Sequence, residues 1–254
     1  MEIVTESNKS NKRRTCIVQK YIHNPLLIHK RKFDIRTYAV MSSIGGNIKA
    51  YVYDEGYIRT SSYEYDVNNL GDRLIHLTND AIQKRDKNYG KHEPGNKMSY
   101  SEFQIYLDKN FGELNICFER DMVPQINKMT TDVFRACHGK LDPKRRVNTF
   151  EVFGLDFMID DEFKLYVIEV NTNPCLELSS PLLARLIPNM LENAFKITVD
   201  PLFMPPEGFS SKKAFLGDPC PENKFTLVFD HKVDGPVIEE LMKNKDNVIG
   251  KYIL

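Results

Sequence analysis

Residues 150–174, FEVFGLDFMIDDEFKLYVIEVNTNP, constrain the fold of this chain more than any other stretch. Two apolar runs flank an acidic turn. Each run carries one carboxylate where an apolar residue would be expected, Asp156 in the first and Glu169 in the second. Side chains on a strand alternate, so Asn171 shares the face of Glu169. A turn centred on Asp161 and Glu162 would pair Asp160 with Phe163 and Asp156 with Val167. Asp156 and Glu169 would then lie diagonally on one face, with backbones roughly 7–8 Å apart. A one-residue change of register would put them on opposite faces. Two unpaired carboxylates on a buried face repel each other and are costly to desolvate. A divalent cation removes both problems, and three hard oxygen donors suit Mg²⁺ holding a nucleotide's phosphates. The competing reading is a hairpin with an exposed polar face.

A second alternating stretch strengthens the first reading. In KFDIRTY, Lys32, Asp34, Arg36 and Tyr38 face one side of a strand, and Phe33, Ile35 and Thr37 face the other. Such a face is a poor core and a good ligand wall, because Lys and Arg neutralise phosphate oxygens and Arg does so with bidentate geometry. A solvated strand face is the alternative. Arg59 follows a turn at Glu55-Gly56 and points toward the same wall. His76, Thr78 and Asn79 offer hydrogen bonds from a loop, where local turn bonding is the simpler role. Gln19 and Lys20 end an apolar strand, residues 16–22, whose backbone has the groups to pair with an adenine edge.

The remaining elements follow from periodicity and punctuation. Residues 33–43 and 48–53 form a hairpin around Gly45-Gly46-Asn47. Residues 57–60 make a short strand, and 61–98 a long loop. Ser99 and Glu102 form a capping box opening a helix to about Phe111. A helix over 123–137 has Pro124 in its first turn and a stripe of Ile126, Met129, Val133 and Ala136 or Cys137. Another begins at Pro181, with Pro188 expected to kink it. A strand over 225–229 and a short helix over 237–243 complete the order. The class is α+β, with a mainly antiparallel sheet and packed helices.

Composition narrows the setting. The 254 residues are 41% hydrophobic, with 35 basic and 35 acidic side chains, so net charge points to neither nucleic acid nor a membrane surface. Five cysteines without a C-x-x-C pair fit a reducing compartment and argue against a disulfide frame or structural zinc. Residues 1–14 are polar and read as disordered. Rossmann and P-loop glycine patterns, a nucleophile elbow and H-E-x-x-H are all absent from the sequence.

The separate signals occur in an informative order: Val18-Gln19-Lys20-Tyr21-Ile22, Asn24-Pro25-Leu26-Leu27, Lys32-Phe33-Asp34-Ile35-Arg36, Glu55-Gly56-Tyr57-Ile58-Arg59, His76-Leu77-Thr78-Asn79, Phe153-Gly154-Leu155-Asp156-Phe157, and Glu169-Val170-Asn171 with Asn173-Pro174. This series resembles the tubulin tyrosine ligase family of the ATP-grasp superfamily, over roughly residues 16–200. The resemblance implies an ATP-grasp-like fold present as its C-terminal portion, without the N-terminal part that carries a glycine-rich loop and a lysine over the phosphates. It divides the chain into a catalytic part at 15–204 and a C-terminal extension at 205–254. It implies a ligase that uses ATP and Mg²⁺ to join a free amino acid, glutamate above others, to tubulin tails through an acyl phosphate. By the same similarity, Gln19, Lys20, Tyr21 and Ile22 line the adenine pocket, and Lys32 and Asp34 lie near ribose and base. Thr78 and Asn79 border the nucleotide, Arg36 and Arg59 face the transferred phosphate, and Asp156, Glu169 and Asn171 hold Mg²⁺. The implied location is cytoplasmic and cytoskeletal, with cilium or basal body included. A non-catalytic module that binds tubulin or microtubules through the same surface is the alternative.

Overall fold

Gly45 and Gly46 take φ of 58° and 80°, a left-handed pair that only glycine adopts without strain. They reverse the chain at the end of the longest strand and so set the centre of the fold. The structure is a computed structural model that describes residues 19–144, 146–203 and 222–249. The strands are β1 (Leu27–Ile28), β2 (Arg31–Ile44), β3 (Asn47–Tyr53), β4 (Tyr57–Glu64), β5 (Lys97–Ser99), β6 (Thr149–Ile159), β7 (Leu165–Asn171) and β8 (Phe225–Asp230). The helices are α1 (Arg73–His76), α2 (Asp80–Gln83), α3 (Tyr100–Phe111), α4 (Val123–Cys137), α5 (Pro181–Thr198) and α6 (His231–Ile249).

All eight strands form one antiparallel sheet around β2. Its first half pairs with β4 and its second half with β3, while β6 runs along the opposite edge and carries β7 outside it. β5 extends the sheet beyond β4, and β8 extends it beyond β3. Through β8, residues 225–230 join the main sheet.

The alternation of β2 divides the core in two. Phe33, Ile35, Ala39 and Met41 face α3 and α4 and pack with Phe103, Leu107, Phe118, Ile126 and Phe134. Thr37 lies on this face too, its hydroxyl 3.0 Å from Tyr100 Oη. On the other face, Tyr38 and Val40 pack with Tyr51, Tyr53 and Tyr57 beneath α5, which contributes Leu183, Leu186, Ile187, Met190 and Ala194. Tyr38 is thus core, fully buried, with its hydroxyl donating to the Cys175 carbonyl at 3.2 Å. The first half of this face, before α5 covers it, carries the charged side chains Lys32, Asp34 and Arg36.

Several expectations need correction. The stripe of α4 is Ile126, Thr130 and Phe134, whereas Met129 and Val133 are half-buried and Ala136 and Cys137 exposed. Thr130 enters that stripe because its hydroxyl is satisfied by the Ile126 carbonyl at 2.8 Å. α6 begins six residues earlier than the apolar pattern indicated, and Pro236 sits inside it. Residues 19–22 form no strand, and 16–18, like 1–14, lie outside the described residues. The stretch 61–98 is not loop throughout, since it holds the end of β4, α1, α2 and the first residues of β5. The capping box is present as expected, with Ser99 Oγ accepting from the Glu102 amide at 3.2 Å and Glu102 accepting from the Ser99 amide at 2.7 Å.

Candidate functional site

The β6–β7 reversal occupies 160–164, with Phe163 at φ 60° and the Asp160 amide donating to the Lys164 carbonyl at 3.0 Å. It is one residue longer than the expected turn, so Phe157 pairs with Val167. A bulge then adds a second residue, and Asp156 pairs with Glu169. The two single-residue offsets cancel in parity. Both carboxylates stay on one face, and they stand directly opposite instead of diagonally.

Two cross-strand rows carry the polar half-face. In one, Lys97, Arg59 and Asp34 are successive partners on β5, β4 and β2. In the other, Tyr57, Arg36, Asp156 and Glu169 are successive partners on β4, β2, β6 and β7. Arg36 grips Asp156 bidentately, with Nε–Oδ1 at 2.5 Å and Nη2–Oδ2 at 3.1 Å. Arg59 holds Asp34 the same way, at 2.6 and 2.8 Å, and its Nη2 is also 2.8 Å from Asp156 Oδ2. The Thr78 hydroxyl donates to Asp34. The result is a continuous chain of charge-assisted bonds, Thr78–Asp34–Arg59–Asp156–Arg36, whose two arginines and Asp156 are only 3–5% exposed.

Burial and pairing act in opposition on these groups. Burial pushes the Asp156 carboxyl up, but the bonds from Arg36 and the charge of Arg59 bring it below the usual carboxylate range. Burial also disfavours the charged Arg59, and Asp34 and Asp156 more than restore it. Lys32 is lowered by burial and partly restored by Asp34. Its ammonium donates to Tyr21 Oη at 3.1 Å, which in turn meets His76 Nδ1 at 2.8 Å. Tyr21, Lys32 and His76 therefore form one cluster beside Asp34. Gln19 and Lys20 are exposed, Ile22 is half-buried, and Asn79 caps α2 without a side-chain cap bond.

Asp156, Glu169 and Asn171 are an oxygen-donor set from adjacent strands. The Asn171 amide lies 3.4 Å from Asp156 Oδ2, and Glu169 is exposed, with no hydrogen bond or ion pair among the described residues. Among those residues no three His, Cys, Asp or Glu side chains gather as a metal site, and Asn171 is the neutral side chain beside the two carboxylates, with its Nδ2 toward Asp156. Two facing carboxylates with a neutral oxygen donor fit a hard divalent cation.

Three residues were not foreseen. Lys97 is buried beside Arg59 and ion-paired with Asp80, and burial lowers its ammonium while Asp80 raises it. Asp80 also accepts from Tyr89 Oη and Ser179 Oγ, both at 3.2 Å, and so ties the segment before α5 to the site. A Cβ on Gly154 would meet Pro174 Cβ at 2.9 Å and Arg36 Nη1 at 3.2 Å, so glycine there lets the guanidinium cross β6. The sequence holds the signal for Gly154, as a glycine within a strand marks a close approach.

This is an α+β protein whose antiparallel sheet buries acid–base pairs on half of one face. A model of the Tubulin-tyrosine ligase family matches residues 1–207, and the chain belongs to that family. It is 39% identical over 189 residues to Tubulin glycylase 3A of Drosophila melanogaster, covering 72% of this chain and 18% of that protein. It is 32% identical over 184 residues to Tubulin glycylase 3B of Tetrahymena thermophila, covering 72% of this chain and 15% of the relative. To the protein named "Probable alpha-tubulin polyglutamylase Ttll1" of Tetrahymena thermophila it is 28% identical over 246 residues, covering 93% of this chain and 56% of the relative. The chain thus spans less than a fifth of the length of either glycylase.

Proposed function

We propose that the polar half-face is one wall of a nucleotide cleft in an ATP-dependent carboxylate–amine ligase. The observation that carries this reading is the buried Asp34–Arg59–Asp156–Arg36 chain in a member of the Tubulin-tyrosine ligase family. A phosphoryl transfer needs placed positive charge more than a covalent nucleophile, and Arg36 and Arg59 supply two guanidinium groups on this wall. Lys32, Tyr21 and Asp34 form the neighbouring polar wall for the nucleoside, with Gln19, Lys20 and Ile22 at its margin and Thr78 and Asn79 bordering it. Asp156, Glu169 and Asn171 would hold Mg²⁺, which would neutralise and orient the phosphates.

In the reaction, a carboxylate oxygen of the acceptor attacks the γ-phosphorus of ATP and ADP leaves. The amine of a free amino acid then attacks the acyl carbon, phosphate leaves, and the amine gives up a proton. The acceptor by this reading is a tubulin tail, because relatives of this chain are named for tubulin. Those names include glycylases and a polyglutamylase, so the similarity supports glycine as the incoming amino acid at least as well as the glutamate expected from the sequence. A cytoplasmic, cytoskeletal setting, cilium included, follows from the same acceptor. No helix among the described residues is long and apolar enough to cross a membrane.

The test is to incubate the protein with Mg·ATP, tubulin-tail peptides and either glycine or glutamate, and to read the peptides by mass spectrometry. Addition of one amino acid that depends on ATP supports the reading. Binding of the peptides with neither ATP binding nor ligation makes the protein a docking module instead.

A further inference from the structure

In the nucleotide reading Asp156 would hold the metal and Arg36 and Arg59 the phosphates, yet in the structure they satisfy each other. Asp156 Oδ1 accepts from Arg36 Nε at 2.5 Å, and Oδ2 has Arg36 Nη2 at 3.1 Å, Arg59 Nη2 at 2.8 Å and Asn171 Nδ2 at 3.4 Å. A carboxylate offers about four lone-pair positions, so one position on Oδ1 is left. Mg²⁺ requires oxygen donors at about 2.0–2.1 Å in octahedral array. A dication that close to Asp156 would face two guanidinium groups already within hydrogen-bond distance of the same carboxylate. The arginines are equally committed, since Arg59 is shared between Asp34 and Asp156. Side chains of Arg36, Arg59 and Asp156 are 4–6% exposed, so neither sign of charge can be stranded here cheaply.

We propose that Arg36, Arg59 and Asp156 form an exchange lock that admits metal and polyphosphate only together. This rests on the nucleotide reading above and adds a rule for how that site fills. A cation arriving alone meets a carboxylate that two arginines already neutralise. A polyphosphate arriving alone must pull the arginines away and leave Asp156 buried without a partner. When both arrive, each charge changes partner: the guanidinium groups move from carboxylate to phosphate, and the carboxylate moves from guanidinium to metal. Glu169, directly opposite Asp156 and unbonded, waits on the solvent side to complete the cation's shell. The lock keeps the phosphate-binding arginines in place while the site is empty.

The experiment is calorimetric titration of the protein with three ligands: Mg²⁺ alone, ATP with a chelator, and Mg·ATP. Wild-type protein binds Mg·ATP at least tenfold more tightly than either component. In Asp156→Asn the arginines lose their anionic partner, so chelated ATP binds several-fold more tightly than to wild type while the advantage of Mg·ATP disappears. In Arg36→Gln the carboxylate is released, and Mn²⁺ alone, followed by electron paramagnetic resonance, binds several-fold more tightly than to wild type. Either variant decides the matter if the other fails to fold. The exchange lock is overturned, with the nucleotide reading intact, if wild type binds chelated ATP as tightly as Mg·ATP, or if the folded variants leave the single-ligand affinities unchanged. Absence of Mg·ATP binding to wild type overturns both.

Discussion

Arg36 lies across Gly154, and this contact links a small residue to the chemistry. An added methyl group would sit 3.2 Å from Arg36 Nη1 and 2.9 Å from Pro174 Cβ, so Gly154→Ala has to displace the guanidinium or the loop after β7. Overpacking of this kind costs about 1–3 kcal/mol, and we expect a lowered melting temperature together with weaker Mg·ATP binding. The two facing carboxylates should behave differently. Asp156→Ala leaves two buried arginines without their shared anion and should cost about 3–5 kcal/mol by chemical denaturation. Glu169→Gln alters an exposed, unbonded side chain. It should leave the denaturation midpoint where it is and remove ligation. The alternation of KFDIRTY made Lys32, Asp34 and Arg36 legible as one face, and apolar flanks exposed Asp156 as an anomaly. Lys97 could not be found that way. It stands in a three-residue strand, too short for a period of two to show, and only the pairing of β5 with β4 brings it beside Arg59.

At the scale of elements, local chemistry was readable where a backbone need selects a residue type. Gly45-Gly46 fixed the β2–β3 hairpin, and Ser99 with Glu102 fixed the start of α3. Ser99→Ala removes the acceptor for the Glu102 amide and should destabilise the protein by about 1 kcal/mol, seen as a shift in urea midpoint without a change of slope. Registers were less legible. The β6–β7 offset depends on Phe163 adopting a left-handed conformation and on a bulge beside Asp156, and neither has a glycine or asparagine to announce it. The stripe of α4 is hidden in the sequence because Thr130 counts as polar until its hydroxyl finds the Ile126 carbonyl. α6 was underestimated because Gly235 and Pro236 near its start look like helix breakers.

The whole molecule ties its two cores together through a sheet that also carries buried ion pairs, and this makes its stability sensitive to acid. Besides Asp156, Glu93 is held below the usual carboxylate range: burial raises it, but the bidentate grip of Arg31 and the Thr60 hydroxyl outweigh that. A carboxyl whose folded value is depressed contributes stability above its unfolded value, and that contribution is lost as pH falls through the folded value. Unfolded carboxyls titrate near about pH 4. Unfolding free energy should therefore fall steeply below about pH 4, and the step should shrink in Glu93→Gln, which begins with Arg31 already unpaired. The α+β class and a mainly antiparallel sheet followed from the order of apolar runs. The placement of β8 at the sheet edge did not, since its partner β3 is remote in sequence and nothing in FTLVFD specifies that edge.

By this proposal the acid–base face of the sheet serves ATP-dependent amide formation. The most direct measurement compares wild-type protein with Glu169→Gln for addition of glycine or glutamate to tubulin-tail peptides in the presence of Mg·ATP. Wild type should add the amino acid in an ATP-dependent way and the variant should add none, with both proteins equally folded by circular dichroism. Undiminished addition by Glu169→Gln would contradict the proposal.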